Sequence, residues 1–153
     1  MMKSKSIRAI YCDDIRLEIG GKQSYMGVYN TDLLAHAFPL QMPKFCAQVM
    51  LTLPTLEAPK NLRVLLLYND QTLSEITLDE ATLGSQLIPE PDPETLPEDQ
   101  RLGINFSFVF APLLIETASR IKLRAYIDGE EIKGNTLIIR SPTNEERIAL
   151  NMP

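Results

Sequence analysis

Tyr11-Cys12-Asp13-Asp14-Ile15-Arg16-Leu17-Glu18-Ile19-Gly20-Gly21-Lys22-Gln23-Ser24-Tyr25-Met26-Gly27-Val28-Tyr29 is the stretch that decides the fold class. Two alternating runs flank a Gly-Gly turn, which is the signature of an antiparallel hairpin. Ile15, Leu17 and Ile19 share one side of the first run; Asp14, Arg16 and Glu18 share the other. An even-numbered loop at Gly20 and Gly21 would bring Met26 and Val28 onto the apolar side and set Arg16 across from Tyr25, so the apolar set is expected to face a core.

Outward from this hairpin the chain keeps a strand rhythm. Thr31 to Pro43 is apolar but broken by Pro39 and Pro43, and reads as a connection over a sheet edge with one helical turn capped by Thr31 or Asp32. Lys44 to Leu53 alternates Phe45, Ala47, Val49 and Leu51 with Cys46, Gln48, Met50 and Thr52. Asn61 to Tyr68 is apolar on both faces, which suits a central strand. An Asn69-Asp70 turn leads into Thr72 to Leu78, followed by a short helix over Asp79 to Leu87.

The second half repeats the pattern. Arg101 to Ala111 places Ile104, Phe106, Phe108 and Phe110 on one face, before Pro112 interrupts it and Leu113 to Glu116 resumes pairing. Arg120 to Asp128 alternates again, Asp128-Gly129 is a favoured hairpin turn, and the return strand through Ile132 to Arg140 carries a bend at Gly134-Asn135. Eight or nine short strands with little helix and no βαβ alternation predict an all-β protein with minor α content: a two-sheet antiparallel β-sandwich, with a partly open β-barrel as the alternative. Residues 1–153 read as a single domain, with an acidic Pro-rich loop at 88–101 and a polar C-terminal tail at 141–153 holding one helical turn.

Composition narrows the chemistry. At 153 residues the chain can bury an ordinary core without a metal or disulfide staple. It lacks the apolar run of a membrane span and the h-region of a secretory signal, so a cytoplasmic protein with no membrane partner is expected. The net charge of -5 has a local origin: Glu90, Asp92, Glu94, Glu98 and Asp99 crowd one stretch without a Lys or Arg, and the remainder balances. That stretch reads as a self-repelling surface loop or as an acidic arm for a basic partner. No basic stripe with interleaved aromatics is present, so no nucleic-acid partner is expected.

The hairpin also carries a resemblance. Cys12 to Arg16, Glu18, Gly21, Lys22 and Gly27 to Tyr29 form a Cys-Asp-Asp-Ile-Arg-x-Glu run, a Gly-Lys turn and a Gly-Val-Tyr strand. This resembles an uncharacterised family of bacterial and bacteriophage proteins. The resemblance implies a shared fold and a phage or mobile-element setting in a bacterial host; it implies no activity and no catalytic residue.

Catalytic signatures are sparse. His36 is the only histidine and sits in an Ala-His-Ala-Phe context without a nucleophile motif, so a partly buried structural role is expected. Cys12 and Cys46 lie in apolar strand patterns and read as buried, reduced thiols. Asp13 and Asp14 are adjacent, so on a regular strand they point to opposite faces and cannot share an ion; Asp128, Glu130 and Glu131 crowd a turn without Ca²⁺-loop spacing. No catalytic residue, metal site or cofactor is assigned. The leading expectation is a non-enzymatic protein-binding module, a phage accessory or host-interaction factor, whose contact residues are Asp14, Arg16, Glu18, Lys22, Tyr25 and Tyr29. Its rivals are a structural subunit of a virion or secretion particle, homo-oligomeric through its sheet edges or through the Thr31 to Pro43 connection, and a carboxylate- or metal-dependent enzyme.

Overall fold

The computed structural model describes residues 5–55, 58–86, 94–96 and 99–153. In chain order the elements are β1 (Ser6–Leu17), β2 (Gln23–Tyr29), β3 (Asp32–Leu34), β4 (Leu40–Met42), β5 (Phe45–Pro54), β6 (Leu62–Tyr68) and β7 (Gln71–Leu78), then α1 (Glu80–Gln86). There follow β8 (Arg101–Phe110), β9 (Leu113–Ile115), β10 (Ser119–Ile127), β11 (Glu130–Lys133), β12 (Leu137–Arg140) and α2 (Asn144–Ala149). One sheet has the order β2-β1-β5-β8. The second runs β3-β12-β10-β6-β7, with β11 also on β10, and β4 and β9 form a small third pair. The fold is all-β and sandwich-like, and the described strands form no closed barrel.

The alternation read from the sequence sets the inner faces. Phe45, Ala47, Val49, Leu51 and Leu53 of β5 are buried against Leu62, Val64 and Leu66 of β6 and Ile121, Leu123, Ala125 and Ile127 of β10 within one core. Each fully buried aliphatic of this kind contributes about 1.5 to 3 kcal/mol. Phe108 is buried and Phe106 packs partly buried beside it, ring edge to ring face, as their side of the strand predicts. On the outside of the second sheet the Arg63 guanidinium pairs with Glu75 at 2.6 Å and covers the Tyr126 ring at 5.6 Å, a solvated polar face.

Several local expectations hold. Asn69 and Asp128 take the positive φ their hairpin turns need, and the Asp79 carboxylate accepts from the Thr82 amide at the start of α1. Thr143 caps α2 in a reciprocal box with Glu146. Others change. Thr31 to Pro43 holds no helical turn: Asp32 opens β3, which runs parallel to β12, and β4 pairs with β9. Strands too short to show a period of their own are stabilised by partners distant in sequence. The strand count accordingly rises from eight or nine to twelve among the described residues, and one pair is parallel.

The bend at Gly134-Asn135 divides the return strand into β11 and β12, and Asn135 ties the two sheets together. Its side-chain oxygen accepts from the Ala9 amide at 2.8 Å and its NH₂ donates to the Ala9 carbonyl at 2.9 Å, while its own carbonyl accepts from the Tyr11 hydroxyl at 2.8 Å. A primary amide so placed mimics one rung of a strand ladder on β1. Gly134 lies so close to Leu123 that a Cβ there would stand 2.6 Å from a Leu123 methyl carbon.

Candidate functional site

β1 has two lengths of partnership. It pairs with β5 only from Ser6 to Cys12, opposite Thr52 to Cys46, but continues beside β2 out to Leu17, opposite Gln23. Beyond Cys12 the first hairpin is therefore a two-stranded arm reaching past β5. A two-stranded ribbon alone is marginally stable in water, so exposed apolar groups on it call for an explanation. Leu17 is 82% exposed, Ile19 96%, Met26 48% and Val28 51%. The expectation that these four residues would line the core is corrected: the core ends at the root of the arm, around Tyr11 and Phe45.

The turn is odd-numbered. The Glu18 amide donates to the Lys22 carbonyl at 2.7 Å, and Gly20 and Gly21 take φ of +87° and +77°. An odd loop shifts every cross-strand pair by one. Ile15 stands opposite Tyr25, Asp14 opposite Met26, and Arg16 opposite Ser24, not Tyr25. Met26 and Val28 consequently share the Asp14 and Cys12 side of the ribbon, and Tyr25 and Tyr29 share the other.

At the root, three residues outside the expected contact set do the organising: Asp13, Gly27 and Lys44. The Tyr29 hydroxyl donates to the Asp13 carboxylate in a short hydrogen bond. Gly27, at φ +66°, lies beneath that carboxylate: a Cβ there would stand 2.7 Å from the Asp13 Cγ. The Gly-x-Tyr spacing thus gives Asp13 an open backbone to lean over and a phenol to hold it. Burial, then the Asp13 bond, pushes the Tyr29 phenol above its usual range, so it is a donor at every ordinary pH. On the other side of the ribbon Lys44 donates to Asp14 at 2.6 Å, and this bond holds the Asp14 carboxyl below its ordinary value. An open cleft of about 400 Å³ lies between this root and the chain leading from β3 to β5, walled by Leu33, Leu34, Leu40 and Met42 with Asp13 and Lys44 among its polar lining.

The six expected contact residues therefore separate into a root and a tip. Asp14 is engaged by Lys44, Tyr29 by Asp13, and Tyr25 donates to Gln23 at 2.8 Å. Arg16, Glu18 and Lys22 are exposed at the far end and form no side-chain ion pair among the described residues. Of the acidic stretch, Glu90, Asp92 and Glu98 lie outside the described residues; the Asp99 amide donates to the Leu96 carbonyl at 2.8 Å. The sequence placed neither Gly27 nor Lys44 among the contact residues, although Gly27 is part of the Gly-Val-Tyr segment. A glycine inside a strand pattern was the available signal for the first, since such a residue marks a close approach.

The thiols are buried and the histidine is exposed. Cys12 and Cys46 are Cα partners across β1 and β5, buried and free. Burial first, and the neighbouring Cys46 next, pushes the Cys12 thiol up to about 11, so little thiolate is present near neutrality. His36 is exposed and makes no hydrogen bond among the described residues, which corrects its expected burial. Asp128 is occupied in accepting from the Lys60 and Asn61 amides at 3.0 and 2.9 Å. Among the described residues no three His, Cys, Asp or Glu side chains gather as a metal site, and no helix is long and apolar enough to cross a membrane.

A family model matches residues 8–140, which spans both sheets and the arm and stops before α2. The chain belongs to DUF6941, a family of unknown function. No curated protein and no solved structure matches it. The match fits the resemblance to an uncharacterised family, and it begins four residues before the Cys-Asp-Asp run that forms the root of the arm.

Proposed function

We propose that this member of DUF6941 is a non-enzymatic protein-binding module that acts through its projecting first hairpin. The observation that carries the reading is the exposure of Leu17 and Ile19 at the end of a ribbon lacking β5 as a neighbour. Aliphatic side chains held out in water favour a partner that removes them, and the neighbouring Arg16, Glu18 and Lys22 give such a partner orientation and selectivity. Asp13, Gly27 and Tyr29 form the buttress that aims the arm. The setting, as a phage or mobile-element accessory factor in a bacterial host, is part of the proposal and rests on the resemblance of the Cys-Asp-Asp and Gly-Val-Tyr segments.

The test separates recognition from stability. Arg16→Ala combined with Glu18→Ala, and separately Leu17→Ser combined with Ile19→Ser, are expected to leave the melting temperature within a few degrees, because each side chain is exposed. Both variants should lose the partner that the unaltered chain retains from a host extract. Unfolding of either variant would make the arm a structural element. Undiminished capture by both would move the contact surface elsewhere.

A further inference from the structure

Resting on the reading of the arm as a contact element, we infer that a second copy of this chain occupies it: the two β2 edges pair antiparallel, and the turn of each arm seats against the root cleft of the other. β2 lies at the end of its sheet, so among the described residues one row of its backbone groups faces no neighbouring strand. Natural edges are usually guarded by Lys, Pro or shortness; Gln23–Tyr29 has seven residues, no charge and no Pro. A strand of this composition can oppose itself without bringing like charges together, which an isologous interface requires.

The geometry of the arm supplies both halves of the contact. A two-fold axis normal to the ribbon and beside Met26, the middle residue of β2, runs Gln23 of one copy alongside Tyr29 of the other. Such an axis keeps each face of the ribbon on the same side in both copies. Leu17, paired with Gln23, shares its face with Asp13 and Tyr29, the face on which the cleft opens. The chain leaving β2 runs directly into Leu33 and Leu34 of the cleft wall, so the partner's turn arrives beside that wall. A foreign partner would need only one of these features; a second copy accounts for the tip, the cleft, their common face and the uncharged edge together.

Sedimentation of the full chain over a micromolar range tests this, alongside Met26→Lys and Met26→Cys. The unaltered protein is expected to be a dimer. Met26→Lys sets two ammonium groups against each other at the axis and should weaken dimerisation more than about tenfold, with each chain still folded by circular dichroism because Met26 is half exposed. Met26→Cys treated with oxidised glutathione, which accepts the two electrons, should yield a covalent dimer. A monomer at all concentrations overturns the inference, as does a dimer that persists in Met26→Lys and gives no cross-link with Met26→Cys. If the chain is monomeric while arm variants still lose capture of a host protein, the second-copy inference falls and the contact reading stands.

Discussion

Asn135 does at the residue scale what no hydrophobic pair in this protein can do: it closes a gap in hydrogen bonding between two sheets. β2 ends opposite Tyr11, so Ala9 has no strand on that edge, and the Asn135 amide takes the place of one. Replacing it leaves a partly buried N–H and C=O without partners. Asn135→Ala should therefore destabilise by about 2 to 4 kcal/mol, since each orphaned group costs about 1 to 3. Urea unfolding would measure it, and a loss below about 0.5 kcal/mol would mean water replaces the amide without penalty. Asn135→Asp should also destabilise, because a carboxylate can accept from the Ala9 amide but not donate to its carbonyl.

Among the elements, the long strands and the arm contrast in what holds them. Among the described residues β8 has β5 as its one neighbour in the sheet, and it owes its place to the row Ile104, Phe106 and Phe108 turned inward. Phe108→Ala should cost about 3 to 5 kcal/mol through lost burial and the cavity left behind, read by the same denaturant titration. Phe106 is only partly buried, so Phe106→Ala should cost less; the reverse order would place the wrong ring in the core. These long strands were legible in the sequence because a period of two repeated over eight to ten residues has one burial solution. The arm was legible as a hairpin but not in register. A Gly-Gly turn accepts several loop lengths, and a change of one residue moved Met26 and Val28 to the opposite side of the ribbon. Nor could alternation along one strand show that β5 begins at Phe45 and leaves the arm without a neighbour. β3 and β4, three residues each, were illegible for a related reason: their pairing is dictated by strands far away in the chain, whereas β9 was read as a resumption of pairing at Leu113 without its partner β4. Of the site, the polar row and Tyr29 could be named, whereas the Asp13 buttress over Gly27 depends on a positive φ that no side-chain pattern announces.

For the molecule as a whole, the edge of the second sheet is fastened by a charge cluster, and that makes stability depend on acid. Arg140 of β12 donates to both Glu146 oxygens, at 2.7 and 2.9 Å, and to Asp32 of β3 at 2.7 Å. It thereby joins the first third of the chain to the capped α2, an element with no buried residue of its own. The Arg140 bonds, followed by the Thr143 amide, hold the Glu146 carboxyl down to about 2, against an ordinary value of 4.5. A carboxylate depressed in the folded state adds stability that is complete above about pH 4.5 and is lost as pH falls toward 2. Asp14, Glu75 and Asp79 are depressed in the same direction, so the acid sensitivity of the whole protein is shared and must be separated by difference. Glu146→Gln retains the shape and removes the titration. Its melting temperature should lie below that of the unaltered protein at neutral pH, and the gap should close as pH falls from about 4.5 to 2, where Glu146 is itself protonated. Thermal scans across that interval decide the matter: two parallel curves would show that the Arg140 cluster does not couple protonation to folding, and α2 would then be held by its capping box alone.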